Sequence, residues 1–212
     1  MAQMTLYRRR GWGSALIEAQ LAWYAMPVEL VEVGDVLRDA GAREDLIRIN
    51  PAGQLPALIL PDGRMMTESA AITLYLADLA GRADLVPEPA APERADFLRW
   101  LIFIVAQIYP CFTFGDAPAR YVGDPQAQEE MQQRIFVRAE QMWRAFGQAA
   151  APNGSWFLGD RLSTLDLYLG VMTCWRPGPD WFRAHLPRVH AIGQAIRGEP
   201  RVAPVFAANF DD

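Results

Sequence analysis

The sequence predicts a protein of two unlike halves, an α/β half followed by a half made only of helices. Short apolar runs of strand length alternate with helical segments up to residue 81. Three prolines then fall between residues 82 and 92, and the apolar patterns beyond residue 93 have helical spacing. We therefore expect an α/β domain over residues 1–81, a linker over 82–92 and an all-helical domain over 93–212.

The α/β half is predicted from the order of its strands and helices. A strand covers Thr5–Tyr7, a turn at Gly11–Ser14 leads into a helix that ends near Met26, and a second strand covers Val28–Val33. Because a helix connects these two strands, they should be parallel. A helical segment over residues 34–49 follows. With the hairpin and helix described next, the order βαβαββα is that of a thioredoxin-like domain.

Residues 50–78 are the most informative segment of the chain. Asn50-Pro51 predicts a turn, and the apolar run Ala57–Leu60 has the length of a buried strand. Met65-Met66 is the returning strand of a hairpin, and Thr67-Glu68-Ser69 begins a helix. The segment therefore predicts the last two strands and the last helix of the α/β half.

Polar groups of this segment suit the amino-acid end of a peptide. Where the bond before Pro56 is cis, Leu55 can offer its N–H and C=O to an extended peptide. Ser69 can donate its hydroxyl, and its N–H belongs to the unsatisfied first turn of a helix, which favours a carboxylate. Glu68 can bind an ammonium group. Simple helix capping by Thr67 or Ser69 would explain the same residues without a ligand.

The helical half is predicted from apolar spacing. A buried helix should cover residues 93–109, with Pro110 ending or kinking it, and a long helix should run from Pro125 to about Ala150. Ser163 and Asp166 have the spacing of a capping box at the start of an apolar helix. Two more helices should finish the chain, over residues 187–197 and 201–208.

Composition narrows the class of function. The 212 residues carry a net charge of −5, and all 20 cationic residues are arginines. They are scattered apart from the run Arg8–Arg10 and form no basic face, so we expect no nucleic-acid partner. The longest strongly apolar run, Leu101–Ala106, is too short to span a bilayer, and we expect a soluble, cytoplasmic protein. Cys111 and Cys174 lie far apart without a CxxC motif, which indicates neither a disulfide framework nor a metal site.

Residues 50–78 resemble the glutathione transferase superfamily, bacterial cytosolic type, in the turn Asn-Pro-x-Gly-x-x-Pro, the hairpin and the Thr-Glu-Ser helix start. Trp156–Leu169 resembles the N-capping motif of that family's helical domain. The resemblance implies the cytosolic glutathione transferase fold and a homodimer. It also implies that glutathione, as co-substrate, contacts a cis Leu55-Pro56 pair, the neighbouring Gln54, and Glu68 with Ser69.

The residue that activates the thiol is predicted from the start of the first helix. Thioredoxin-like domains place their reactive group there, where unsatisfied N–H groups stabilise an anion. In the alignment with bacterial transferases the cysteine position falls on Gly13, and the adjacent serine falls on Ser14. We expect Ser14 to stabilise the thiolate, with Tyr7 as the alternative, since one branch of the family uses a tyrosine near the end of the first strand. A serine here would also suit a plain N-cap.

The resemblance implies a transferase that activates the thiol of glutathione for attack on a small hydrophobic electrophile. Trp12, Tyr109, Cys111 and Phe112 are candidates to line the acceptor pocket, and Tyr109-Pro110 resembles a place where bacterial relatives carry a histidine. Two alternatives stay open. One is a glutathione-dependent peroxidase or disulfide reductase that uses two glutathiones, and the other is a non-catalytic binding protein.

Overall fold

The computed structural model describes residues 3–211. The α/β half contains β1 (Met4–Arg8), α1 (Ala15–Trp23), β2 (Val28–Glu32), α2 (Ala40–Ile49), β3 (Ala57–Ile59), β4 (Met65–Met66) and α3 (Ser69–Ala80). The helical half contains α4 (Arg94–Phe103), α5 (Tyr109–Gly115), α6 (Pro125–Gly147), α7 (Thr164–Met172), α8 (Pro179–His185), α9 (Pro187–Arg197) and α10 (Ala203–Phe210). A π-helical turn (Ile104–Ile108) joins α4 to α5, and a short 3₁₀ helix (Pro118–Arg120) precedes α6.

The four strands form one sheet in the order β2-β1-β3-β4. β1 is parallel to β2, with Leu6 opposite Leu30, and antiparallel to β3, with Leu6 opposite Leu58. The predicted βαβαββα order and the parallel first pair are confirmed. Leu6 and Leu58 lie at the centre of the sheet and are fully buried in the hydrophobic core.

One hydrophobic core continues from the sheet into the helical half and includes both Leu6 on β1 and Phe206 on α10. α1 contacts α3 in its own half and both α7 and α10 in the other. Residues 82–92 contain neither helix nor strand, and the carbonyl of Leu85 accepts hydrogen bonds from the Thr164 N–H at 2.8 Å and the Thr164 hydroxyl at 3.2 Å. The hydrophobic core is continuous across this segment, so burial marks no boundary between two separate domains. The predicted boundaries at residues 81 and 93 therefore remain a prediction.

Several helix ends differ from the predicted ones for local reasons. α1 stops at Trp23 because Ala25 adopts a positive φ of 53°, which ends a right-handed helix. α2 starts only at Ala40, where the Asp39 side chain caps it by accepting from the Gly41 N–H at 2.8 Å. The short helix α8 was not predicted.

The run from Arg94 to Gly115 is one long helical segment with a π turn in its middle. Pro110 lies in the first turn of α5, so the helix continues past it and the irregularity is the π turn before it. By length and apolar composition alone the run is sufficient to cross a membrane. Phe97, Leu101 and Ile104 on it are nevertheless fully buried inside the protein, as in a core helix.

The predicted capping box at the start of α7 is confirmed. Asp166 accepts hydrogen bonds from the N–H groups of Phe157 and Ser163, both at 2.8 Å, and from the Ser163 hydroxyl at 3.2 Å. The carboxyl is fully buried, and burial raises the pKa of Asp166 to about 6 against the opposing effect of these hydrogen bonds.

We predict that Asp166 makes stability depend on pH. Because its pKa is raised in the folded state, the folded protein holds this proton more tightly, and that stabilisation is lost as pH rises from about 4 to about 6. The free energy of unfolding of the wild type, relative to Asp166→Asn, should fall by up to about 3 kcal/mol across this range. Urea unfolding at several pH values measures it.

Asp180→Asn is the matched control, since the Asp180 side chain is 85% exposed and pairs with Arg183 on the surface. The free energy of unfolding of Asp180→Asn, relative to the wild type, should not change in this way between pH 4 and pH 6. A flat or rising difference for Asp166→Asn would show that the three hydrogen bonds keep the buried carboxylate ionised.

Candidate functional site

Two adjoining cavities lie between the α/β half and the helical half. The inner chamber encloses about 230 Å³ and is lined by Asn50, Gln54, Leu55, Pro56, Thr67, Glu68, Ser69, Val105, Tyr109, Pro110, Thr113 and Phe114. The outer chamber encloses about 420 Å³ and is lined by Gly11, Trp12, Gly13, Val36, Leu37, Gly53, Gln54, Leu55, Tyr109, Phe112, Thr113, Asp116, Arg120, Trp175 and Arg176. The two chambers share Gln54, Leu55, Tyr109 and Thr113.

The loop before β3 presents the backbone of Leu55 to both chambers. The Leu55-Pro56 bond is cis. The buried Asn50 side chain fixes the loop, because its amide donates to the Gln54 carbonyl at 2.8 Å and its oxygen accepts from the Ala52 N–H at 3.1 Å. Within residues 3–211 no group pairs with the N–H or C=O of Leu55. Both groups are therefore available to a peptide.

Glu68 and Ser69 lie side by side on the wall of the inner chamber at the start of α3. Glu68 is exposed and has a φ of 62°, which is uncommon for a residue with a side chain. Beneath them, the Tyr168 hydroxyl lies 3.4 Å from that of Thr73. Burial raises the pKa of Tyr168 to about 12, although the nearby Ser69 and Thr73 hydroxyls oppose the shift. The structure thus brings the five predicted glutathione contacts into one chamber.

Ser14 lines neither chamber, and this corrects the placement expected for it. Its side chain is fully buried, and its hydroxyl donates to the Arg9 carbonyl at 3.2 Å and accepts from the Arg9 N–H at 3.1 Å. Ser14 holds the N-cap position of α1, but its side chain makes no capping hydrogen bond. Trp12 and Gly13 reach the outer chamber, whereas the next residue points back towards β1.

Tyr7 also lies away from the two chambers. On β1 it pairs with Val31 and Ala57, and its side chain packs against the cluster that includes Val36 and Leu46. It lines a separate cavity beside β2 and α2. Strand pleating explains this, since alternate side chains leave opposite faces of a sheet. Neither Ser14 nor Tyr7 meets the cleft.

The aromatic wall of the outer chamber agrees only partly with the predicted acceptor pocket. Trp12, Tyr109 and Phe112 line it, and so does Trp175, which was not predicted to do so. Tyr109, Phe112 and Trp175 pack edge to face with ring centroids 5.4 to 6.4 Å apart. Trp175 lies in the turn after α7, where no local pattern pointed to a ligand.

Cys111 does not line the pocket, which corrects a second prediction. It is buried, and its thiol donates to the Gln107 carbonyl at 3.4 Å. Burial also raises the pKa of the Cys111 thiol. Successive helical residues point about 100° apart, so Phe112 faces the chamber and Cys111 does not.

Gly13 and Tyr109 come into close contact at the boundary of the two chambers. A Cβ atom at position 13 would overlap the Tyr109 hydroxyl oxygen and would lie 3.2 Å from the Leu55 carbonyl oxygen. The phenol therefore fills the space that a side chain at position 13 would occupy. Burial raises the pKa of Tyr109, with Tyr168, Asp116 and Glu68 adding to the shift.

Charged side chains stand at the rim of the outer chamber. Arg120 donates to the Val36 carbonyl at 2.8 Å, and Arg176 lies over the ring of Phe136 at 4.4 Å. Burial raises the pKa of Asp116, although Arg176 opposes this. The outer chamber thus combines an aromatic floor with polar groups at its opening.

A thioredoxin-like α/β half joined across a cleft to a helical half defines a class of two-part proteins. The family described as glutathione S-transferase, N-terminal domain, matches residues 17–79. The GST-like protein YncG of Escherichia coli K12 is 34% identical over 206 residues, covering 96% of this chain and 97% of YncG. The chain belongs to the glutathione S-transferase superfamily.

Solved structures agree with this assignment. A glutathione transferase homolog from Sulfitobacter with bound glutathione is 25% identical, with a TM-score of 0.85 over 99% of this chain and 100% of that one. A sphingomonad glutathione S-transferase complexed with glutathione is 26% identical, with a TM-score of 0.77 over 98% of this chain and 100% of that one. The predicted fold is confirmed.

We predict that Trp175 fixes the turn at the outer chamber. Its indole N–H donates to the Gly11 carbonyl at 2.7 Å. Trp175→Phe keeps an aromatic face but removes this donor. The free energy of unfolding should therefore fall by about 1 kcal/mol, the net contribution of one hydrogen bond. Trp181→Phe is the matched control, because Trp181 is also half-buried and its indole has no such partner among residues 3–211. Equal losses in urea unfolding for both variants would contradict the prediction.

Proposed function

We propose that this protein is a cytosolic glutathione transferase that activates the thiol of bound glutathione for attack on a small hydrophobic electrophile. The observation that carries the proposal is the pair of joined chambers, one edged by Glu68 and Ser69 and the other by aromatic rings, which meet at Leu55. One chamber suits the charged end of a peptide, and the other suits an apolar reactant.

Glutathione would bind along the inner chamber. Its cysteinyl backbone would pair with the free N–H and C=O of Leu55, in the manner of an added strand. The γ-glutamyl ammonium would meet Glu68, and the neighbouring carboxylate would meet the Ser69 hydroxyl and the first N–H groups of α3. Gln54 and Pro56 would form the walls. This pose places the thiol at the boundary of the two chambers.

The electrophile would occupy the outer chamber against Trp12, Phe112 and Trp175. The thiolate forms the new carbon–sulfur bond, and the leaving group departs with its bonding electrons. The aromatic floor favours a flat, apolar reactant through burial and edge-to-face contacts. The enzyme supplies position and thiolate stabilisation, and glutathione supplies the nucleophile.

A glutathione-dependent peroxidase or disulfide reductase is the second candidate. Asp116, Arg120 and Arg176 at the rim of the outer chamber favour it, because they could meet the ammonium and carboxylates of a second glutathione. Separate assays distinguish the two reactions. Turnover of chlorodinitrobenzene indicates a transferase, and turnover of a hydroperoxide or of hydroxyethyl disulfide indicates a peroxidase or reductase. If calorimetry shows that glutathione binds but none of these substrates is turned over, the protein is a non-catalytic binding protein.

We also propose that the protein is a cytoplasmic homodimer, as the family suggests. Large apolar side chains remain exposed on both halves, among them Met65 and Leu79 on one and Ile102 on the other. A partner copy that covered such side chains would gain hydrophobic stabilisation. Light scattering should give twice the chain mass at micromolar concentration, and a monomer mass would contradict the proposal.

We predict that the charged end of glutathione is held by Glu68 and Ser69. Glu68→Gln removes a charge without changing shape, and Ser69→Ala removes a donor. Each loses a charge-assisted hydrogen bond, so glutathione affinity should fall about ten- to a hundred-fold. Calorimetry measures it. Glu44→Ala, an exposed site on α2, is the control, and unchanged affinity in both site variants would place the amino-acid end elsewhere.

A further inference from the structure

We propose that the Tyr109 hydroxyl, supplied by the helical half, donates the hydrogen bond that holds the glutathione sulfur as a thiolate. It does so from the space that a side chain at position 13 would otherwise fill. This inference rests on the proposed glutathione site and assigns to it the donor that Ser14 and Tyr7 do not provide. Tyr109 was predicted only to line the acceptor pocket, and the proposal makes it a catalytic residue as well.

The Leu55 carbonyl and the Tyr109 phenol converge beside Gly13, where the proposed pose puts the sulfur. Measured from the Cβ position of residue 13, the Leu55 carbonyl oxygen is at 3.2 Å and the Tyr109 ring carbon that bears the hydroxyl is at 3.1 Å. A cysteinyl residue paired with the Leu55 backbone carries its sulfur two bonds from its own Cα. The sulfur therefore comes within hydrogen-bond reach of the Tyr109 hydroxyl.

The phenol is suited to donate and unsuited to accept a proton. Burial raises the pKa of Tyr109, and the charges of Glu68 and Asp116 and the neighbouring Tyr168 hydroxyl act in the same direction. The hydroxyl consequently keeps its proton at neutral pH and donates it in a hydrogen bond. When the bound thiol ionises, its proton passes to water in the open cleft, and the phenol is unchanged.

Packing holds the phenol in place. Tyr109 begins α5 directly after the π turn, and its ring is edge to face with Trp175 at 5.8 Å. The indole of Trp175 also donates to the Gly11 carbonyl at 2.7 Å. The donor and the turn that carries Gly13 therefore form one fixed unit.

Backbone N–H groups at the start of α1 are the competing donors. Within residues 3–211 the N–H groups of Gly13 and Ser14 have no backbone acceptor, and a helix start favours an anion. These groups remain in every side-chain variant at positions 14 and 109. A test that changes only Tyr109 therefore separates the phenol from the backbone.

The test compares Tyr109→Phe with Ser14→Ala and Tyr7→Phe. Removing the phenol should raise the pKa of bound glutathione by about one to two units and lower kcat for chlorodinitrobenzene about ten- to a hundred-fold at neutral pH. Affinity for glutathione should change much less, since its backbone and charged end bind elsewhere. The two control variants should leave the thiolate pKa near the wild-type value. Thiolate absorbance titration and initial rates provide these readouts.

Gly13→Ala provides a second, independent variant. Its methyl group would displace the Tyr109 hydroxyl, so it should reproduce the loss in the wild-type background. In the Tyr109→Phe background it should add less than it costs alone, because the worst overlap, with the hydroxyl oxygen, is absent, although the contacts with the ring carbon and the Leu55 carbonyl oxygen stay tight. This non-additive cycle distinguishes a shared site from two separate defects.

Two results would overturn the inference while the proposed function stands. The first is a wild type that binds and turns over glutathione while Tyr109→Phe leaves thiolate pKa and kcat unchanged, which would assign the role to the backbone. The second is full additivity of Gly13→Ala and Tyr109→Phe. A wild type that fails to bind glutathione would instead refute the proposed function, and the inference with it.

Discussion

The site depends on how the turn before α1 is fastened to the helical half. The Gly11 carbonyl accepts from the Trp175 indole at 2.7 Å, and the Gly11 N–H donates to the Asn209 side chain at 3.0 Å. Gly11 has a φ of 74°, a conformation that glycine adopts without steric strain. Since both contacts come from beyond α6, the position of Trp12 and Gly13 in the cleft follows from the packing of the helical half.

A buried charge lies directly beneath this turn. Glu18 on α1 is 5% exposed, pairs with the Arg8 guanidinium at 2.8 Å and accepts from the Asn209 amide at 3.2 Å. Burial raises the pKa of Glu18, while Arg8, Asn209 and the nearby Ser14 hydroxyl oppose the shift. A buried carboxylate left without such partners would be strongly destabilising. The Ser14 hydroxyl lies near this network but bonds with the Arg9 backbone, and it is directed away from the cleft.

Features that depend on local sequence were predictable. The hairpin strand Met65–Met66 and the capping box of Ser163 and Asp166 have their predicted places, because turn residues and cap spacing act over a few residues. The order βαβαββα along the chain and the parallel pairing of β1 with β2 also followed from the alternation of strands and helices. The resemblance predicted that Glu68 and Ser69 share one binding site, and both line one cavity. Their role in binding glutathione is a proposal.

Features that depend on side-chain direction were not predictable. Cys111 and Phe112 are neighbours in sequence, and the π turn and the contacts of α5 decide which one faces the chamber. The Asn209 amide reaches Glu18 across 191 residues. Trp175 reaches Gly11 across 164 residues. Such contacts exist only once both halves are packed, so no single-sequence pattern could show them.

In the proposed mechanism, a glycine at position 13 changes which half of the protein completes the sulfur site. A side chain there would bring its polar atom from the α/β half, together with the Leu55 backbone and the start of α3. With glycine, the space is filled by a phenol that begins α5, held against Trp175 and fixed by the core of the helical half. In the proposed mechanism the peptide-binding groups and the thiolate donor therefore come from different halves. The α/β half can then position glutathione, and the docked helical half supplies the hydrogen bond that makes its sulfur reactive.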